Sequence, residues 1–215
     1  MQVTKTARKP GRALTPEERQ TKTQQLLDAA LDVFLERGFE AARLDEVAKR
    51  AGVAKGTLYL YFASKEALFE DLIRSLIASP IQEVGQRMLA QDIPAEMMLR
   101  GLLNWAKKEV LGTRRKDIAR LIISEAGRFP ELGAFYHREV ISRGTAVIRA
   151  IVTRGVERGE FTSDALDRFP QLLIAPVLVG IIWNGLFSHV ETLDTDGLLD
   201  VHADLIIRGL KGGAA

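Results

Sequence analysis

Between Phe169 and Val190 the chain runs for 22 residues without a formal charge. Such a segment has to leave water on most of its faces, in a bilayer or inside protein. Pro170, Gln171, Pro176, Gly180, Asn184, Gly185 and Ser188 interrupt it, and its strictly apolar part reaches only from Leu172 to Trp183. No Lys/Arg cluster follows it. The expectation is therefore not a membrane span but a helix bent near Pro170 or Pro176. It would be buried on all faces, within the protein or between subunits.

The remainder of the 215 residues reads with helical spacing, and no convincing alternating run predicts a strand. The expected fold class is all-α. Residues 1–20, with Pro10, Gly11 and Pro16, are expected as a flexible basic arm. A first helix is predicted at about Thr21–Arg37, with Leu27, Leu31, Phe34 and Leu35 on one side, ended by a left-handed Gly38 and a trailing Phe39. Short helices follow at about Leu44–Ala51 and Ala54–Phe62, joined by Gly52–Val53. Ser64 can cap a longer helix whose inner face carries Leu68, Leu72 and Leu76 and which ends before Pro80. Further helices are predicted at about Ala95–Val110, Asp117–Arg128, Glu131–Arg158 and Gly197–Gly209, with FPEL at Phe129–Leu132 as a break.

Composition removes whole classes of function. The chain has no cysteine, so disulfides, thiol nucleophiles and Cys-based metal sites are excluded. This fits a reducing compartment such as the cytoplasm. The segment MQVTKTARKPGRALTPEE lacks the apolar core of a secretory signal. There is no serine elbow, phosphate loop or dinucleotide fingerprint, and His137, His189 and His202 are scattered. An enzyme, a metal site and a cofactor are accordingly not expected.

Two short helices joined by Gly52–Val53 behind a longer first helix form a helix-turn-helix pattern. If the second helix enters a major groove about 12 Å wide, its outward positions are the ones that matter. Those are Lys55, Gly56, Thr57, Tyr59, Leu60 and Tyr61, while Leu58 and Phe62 face inward. Gly56 permits close backbone approach, and the hydroxyls can donate to phosphates. Lys65 adds charge beside a helix N-terminus, a natural phosphate site. The alternative is a plain three-helix packing unit with aromatic core residues.

The stretch LDEVAKRAGVAKGTLYLYFASKEALF, Leu44–Phe69, closely resembles the signature of TetR-family transcriptional regulators. Gly52, Lys55-Gly56-Thr57, Tyr59, Tyr61-Phe62 and Ser64-Lys65-Glu66 carry the match, which covers about Thr21 to Leu76. RLIISEAGRFPEL, Arg120–Leu132, is similar to one subgroup of the family's C-terminal domains. The resemblance implies a helix-turn-helix DNA-binding domain over 21–70 and a larger helical ligand-binding and dimerisation domain over 71–215. It also implies a DNA-facing set of Lys55, Gly56, Thr57, Tyr59, Leu60, Tyr61 and Lys65. Thr57, Tyr59, Tyr61 and Lys65 would hold phosphates, and Lys55 and Leu60 would read base edges. The sequence departs from the family at Ala42–Arg43, where Ser or Thr normally caps the first helix of the motif. Losing a cap costs about 1 kcal/mol. Arg43 either neutralises a phosphate there or is a solvated arginine.

The implied function is a repressor that binds a palindromic operator as a dimer and is released by a small apolar or amphipathic effector. The alternatives are an effector-independent DNA-binding protein and an activator. Candidates for the effector pocket are Met98, Trp105, Glu125, Phe135, Trp183 and Phe187. Glu125 lies on the apolar stripe of Ile118, Leu121 and Ile122, where it would orient a ligand, pair with Arg128 or reach solvent. The helices at about 164–190 and 197–209 are expected to form an isologous four-helix dimer interface.

Net charge is only +2, but its distribution is uneven. Residues 71–215 hold 18 basic and 18 acidic side chains, against 12 and 10 in residues 1–70. The surplus falls on the arm 1–22 (+4) and the stretch 43–65 (+3). A basic arm either contacts DNA or is simply solvated.

Overall fold

The computed structural model describes residues 15–212. In chain order its helices are α1 (Pro16–Ala41), α2 (Leu44–Arg50), α3 (Lys55–Tyr59), α4 (Lys65–Ile73), α5 (Ser79–Leu89), α6 (Ala95–Trp105), α7 (Arg115–Glu125), α8 (Pro130–Tyr136), α9 (Ser142–Glu157), α10 (Ala165–Arg168), α11 (Gln171–Phe187) and α12 (Thr195–Leu210). No strand occurs among the described residues.

α1 begins at Pro16, ahead of the expected Thr21. Thr15 closes a capping box: its Oγ1 accepts from the Glu18 N–H at 3.2 Å, and the Glu18 carboxylate accepts from the Thr15 N–H at 2.8 Å. Pro16 sits in the first turn, where a missing N–H costs nothing. The expected arm therefore ends by Thr15, and its remainder, residues 1–14, lies outside the described residues. At the other end Gly38 has φ 73°, and the trailing Phe39 is buried against Phe34, Phe69 and Phe129. Leu35 departs from the expected inner face and is 37% exposed.

Pro80 does not end the fourth helix. α4 runs through a π turn at Arg74–Ala78 straight into α5, with Ser79 donating to the Arg74 carbonyl. The wider turn carries the chain past the position where proline lacks its N–H. Two more π turns, Ala106–Leu111 and His137–Ile141, extend α6 and join α8 to α9.

The uncharged segment breaks at Phe169–Pro170, between α10 and α11. It is not buried on all faces. Leu173, Pro176, Val177, Gly180 and Ile181 face inward, but Leu178, Val179, Ile182, Leu186 and Phe187 are 40–58% exposed. On α12, Val201 and Leu205 are each 60% exposed. Among the described residues no helix is long and apolar enough to cross a membrane.

Two apolar cores hold the molecule together. One gathers Leu26, Phe34, Leu58, Phe62 and Phe69 from the first four helices and their junctions, and continues without a gap into Ile118 and Ile122 of α7 and Leu132 and Phe135 of α8. The other joins α6 and α9–α12 through residues such as Met98, Ile151, Leu173 and Leu199. Residue 70 is thus no boundary in packing, although the expected DNA-binding domain ends there.

Candidate nucleic-acid interface and effector cavity

The turn between α2 and α3 is fixed by backbone geometry. Val53 N–H donates to the Ala48 carbonyl at 2.9 Å and Gly52 N–H to that of Lys49 at 3.2 Å, the double bond of a Schellman ending. Gly52 has φ 64°, and a Cβ there would meet nothing within 4 Å, so conformation alone calls for glycine. As the sequence suggests, no side chain caps α2: Arg43 is its N-cap residue and makes no capping bond. Bidentate Arg50–Glu36 bonds, at 2.6 and 2.7 Å, and an Arg37–Glu46 pair tie α2 to α1. The Arg50 hydrogen bonds hold the Glu36 carboxyl below its ordinary range.

Of the proposed DNA-facing residues, Lys55, Gly56, Thr57 and Tyr59 lie on α3, Leu60 and Tyr61 directly follow it, Lys65 opens α4 and Arg43 precedes α2. Lys55, Gly56 and Arg43 are exposed, Tyr59 is 45% exposed, and Leu60 reaches 84%. Thr57, Tyr61 and Lys65 are half-buried, while Leu58 and Phe62 fill the core. Two of the lysines already have partners. Lys55 Nζ lies 2.8 Å from Asp45 Oδ1, and the hydrogen bond to that carboxylate raises its pKa. Lys65 Nζ donates to the Glu40 carbonyl at 2.8 Å and stands 4.6 Å over the Phe39 ring. Ser64 Oγ accepts from the Ala67 N–H at 3.1 Å and caps α4, with Glu66 in the first turn.

An apolar cavity of about 140 Å³ lies between the two cores. A dry apolar cavity of about 150 Å³ holds a benzene-sized molecule, so this one admits a small apolar group. Of the pocket residues expected from sequence, only Trp105 lines it. Met98 and Phe135 are sealed in the two cores at 0% and 2% exposure. Trp183 donates from Nε1 to the Glu191 carbonyl at 3.2 Å and stacks edge-on with Phe187 away from the cavity. Glu125 packs against Gly38 with its Oε2 buried and unpartnered, while Arg128 pairs with Glu40 instead.

All three π turns contribute to the cavity wall, through Ile77, through Ala106 and Val110, and through Val140 and Ile141. Sequence reasoning missed these residues. The spacing of Ile77, Ile81 and Val84 was a usable signal, hidden by reading Pro80 as a helix end.

A small helix-turn-helix head fused through a shared core to a cavity-bearing helical domain defines a class of DNA-binding regulator. The profile for bacterial regulatory proteins of the tetR family matches residues 26–72, and that for the tetracyclin repressor-like C-terminal domain matches residues 97–200. The chain belongs to the TetR family, whose members are DNA-binding transcriptional regulators and not enzymes. It is 33% identical over 79 residues to the fatty acid metabolism regulator protein of Bacillus subtilis, a match covering 35% of this chain and 41% of that one. It is 25% identical over 178 residues to the regulator AcrR of Shigella flexneri, covering 81% and 82%. The matches to the first two curated relatives thus span only about two-fifths of their length, 38% and 41%. The fold resembles that of the regulator FadR from Bacillus subtilis, solved in complex with stearoyl-CoA, with a TM-score of 0.67 and 21% identity over 86% of this chain and 98% of that one.

Proposed function

We propose that this protein is a ligand-responsive repressor. Two copies bind a palindromic operator, and a small apolar molecule in the cavity releases them. One observation carries the reading. A single helical path starts at the Ser64 cap beside α3, winds through Arg74–Ala78, and supplies Ile77, Ile81 and Val84 to the cavity wall. A ligand that favours one packing of that wall biases the seat of the reading head.

Residues 21–70 are the reading head and residues 71–215 the sensing and dimerisation part. Tyr59, Thr57, Tyr61, Lys65 and Arg43 hold phosphates, and Lys55, Gly56 and Leu60 approach the bases. Trp105 borders the effector. The exposed apolar face of α11 and α12 supports an isologous dimer, which sets two α3 helices about 34 Å apart, one turn of DNA. The FadR complex with stearoyl-CoA supports a ligand with an apolar chain, apolar or amphipathic as a whole, in this fold.

The test is a footprint on DNA upstream of the protein's own gene, repeated with decanol as a probe. Two protected half-sites about one helical turn apart, lost on adding the probe, are expected. A single unpaired footprint that the probe leaves unchanged counts against the reading.

A further inference from the structure

The cavity discriminates by charge. Among the described residues no carboxylate lines it, so a ligand cation would find no counter-charge, and Arg115 is the one charged residue of the lining. That guanidinium is already committed. Nη1 donates to the Glu109 carboxylate at 2.5 Å and to the Glu109 carbonyl at 3.0 Å, and Nε donates to the Leu76 carbonyl at 2.5 Å. A ligand carboxylate or phosphate would therefore meet a neutralised pair in an apolar wall, where an uncompensated charge is costly. Thr145 Oγ1 lies 2.9 and 3.1 Å from the Ile141 and Ser142 carbonyls of its own helix. That leaves two neutral hydrogen-bonding residues at the wall, Trp105 with its indole N–H and Tyr136, whose hydroxyl pKa burial pushes up to about 12.

We propose that the cavity selects an uncharged ligand group: an apolar molecule with one hydroxyl- or carbonyl-type group, in place of an acyl anion. This rests on the cavity being the effector site.

The experiment titrates the full-length protein at pH 8 with decanol and decanoate, which differ in the head group that carries the charge. Calorimetry and Trp105 fluorescence, the latter read in a Trp183→Phe background because the chain has a second tryptophan, are the readouts. Wild type is expected to bind decanol at least about tenfold more tightly than decanoate. Glu109→Gln, which leaves the Arg115 charge unmatched but keeps the backbone contact, should bring decanoate level with decanol or beyond it. Gly144→Leu grows a side chain into the cavity from a position where a Cβ meets only Ile81 Cγ2 at 3.9 Å, and should abolish binding of both probes.

Decanoate binding wild type as tightly as decanol, and losing that binding in Gly144→Leu, overturns the charge selection and leaves the effector site standing. Neither probe binding wild type, or both binding Gly144→Leu unchanged, overturns the effector site itself and the selection with it. Should Gly144→Leu fail to fold, the wild-type and Glu109→Gln preferences decide the charge selection, and quenching of Trp105 locates the ligand.

Discussion

Arg115 Nε donates to the Leu76 carbonyl at 2.5 Å. The ordinary helical donor to that carbonyl, four residues on, would be Pro80, which has no N–H. A side chain from α7 thus takes the place of a missing backbone group in the turn that links reading head to cavity. Arg115→Met should cost about 1–3 kcal/mol by leaving the carbonyl unpaired. In a chain of this size each kcal/mol lowers Tm by about 2–4 °C. Operator affinity should stay near wild type while the response to decanol shrinks. Thermal melting and operator titration with and without decanol check both halves.

Gly38 is required for two reasons, and they are separable. Its φ is 73°, and a Cβ there would stand 2.8 Å from Glu125 Oε1. Gly52 shares the first constraint, at φ 64°, but not the second. Each glycine-to-alanine change should cost about 1–2 kcal/mol of conformational strain. Gly38→Ala should cost more than Gly52→Ala in wild type and about the same in a Glu125→Ala background. A double-mutant cycle in urea measures the difference, and an unchanged Gly38→Ala cost in that background refutes the contact.

Tyr59 and Lys65 should separate binding from stability. Loss of the cationic Lys65 contact reduces the slope of log affinity against log salt by about one, whereas loss of the neutral Tyr59 hydroxyl weakens binding and leaves the slope unchanged. Tyr59 is 45% exposed, so Tyr59→Phe should weaken operator binding without changing the melting curve. Lys65→Met should lower the slope and also lower Tm, because Lys65 tethers α4 to the Glu40 carbonyl and covers Phe39. Filter binding at several salt concentrations provides the slopes.

Arg43→Thr supplies the cap that α2 lacks. It should stabilise the protein by about 1 kcal/mol. If Arg43 touches a phosphate the same variant lowers the salt slope. A rise in Tm with an unchanged slope would assign Arg43 to solvent.

His202 introduces an acid-side instability. Burial lowers its pKa below the ordinary 6.5, against the opposing effect of the Leu172 and Leu173 carbonyls, and its Nε2 is buried without a partner. The unfolded chain therefore binds the proton more readily than the folded one. Stability is full above 6.5 and falls as pH drops from there towards the lowered folded value. Tm measured between pH 8 and pH 5 should decline in wild type and decline less in His202→Gln.

The head was legible from sequence and the cavity largely was not, for physical reasons. The α2–α3 turn depends on local requirements that single residues announce: a positive φ at Gly52, inward Leu58 and Phe62, and a capping Ser64. The cavity depends on distant segments meeting, and Ile77, Val110, Val140 and Val177 each look like ordinary core until they do. Prolines misled twice. Pro16 and Pro80 sit where their missing N–H is harmless, in a first turn and after a π turn, yet proline in a sequence looks the same there as in a break. Burial of α11 was overestimated because one chain covers only the side that carries Leu173, Val177 and Ile181.

The three π turns have a bearing on descent. Each spaces its hydrogen bonds one residue wider than an α-helix does, so losing one residue there restores ordinary winding where the same deletion elsewhere would put a helix out of phase. Every such place borders the cavity, through Ile77, Val110 or Ile141, and α2 and α3 contain none. Single-codon deletions are expected to be tolerated best at these turns, beside the cavity. Under the proposed function, effector preference could then drift by small genetic steps while α2 and α3 keep their register.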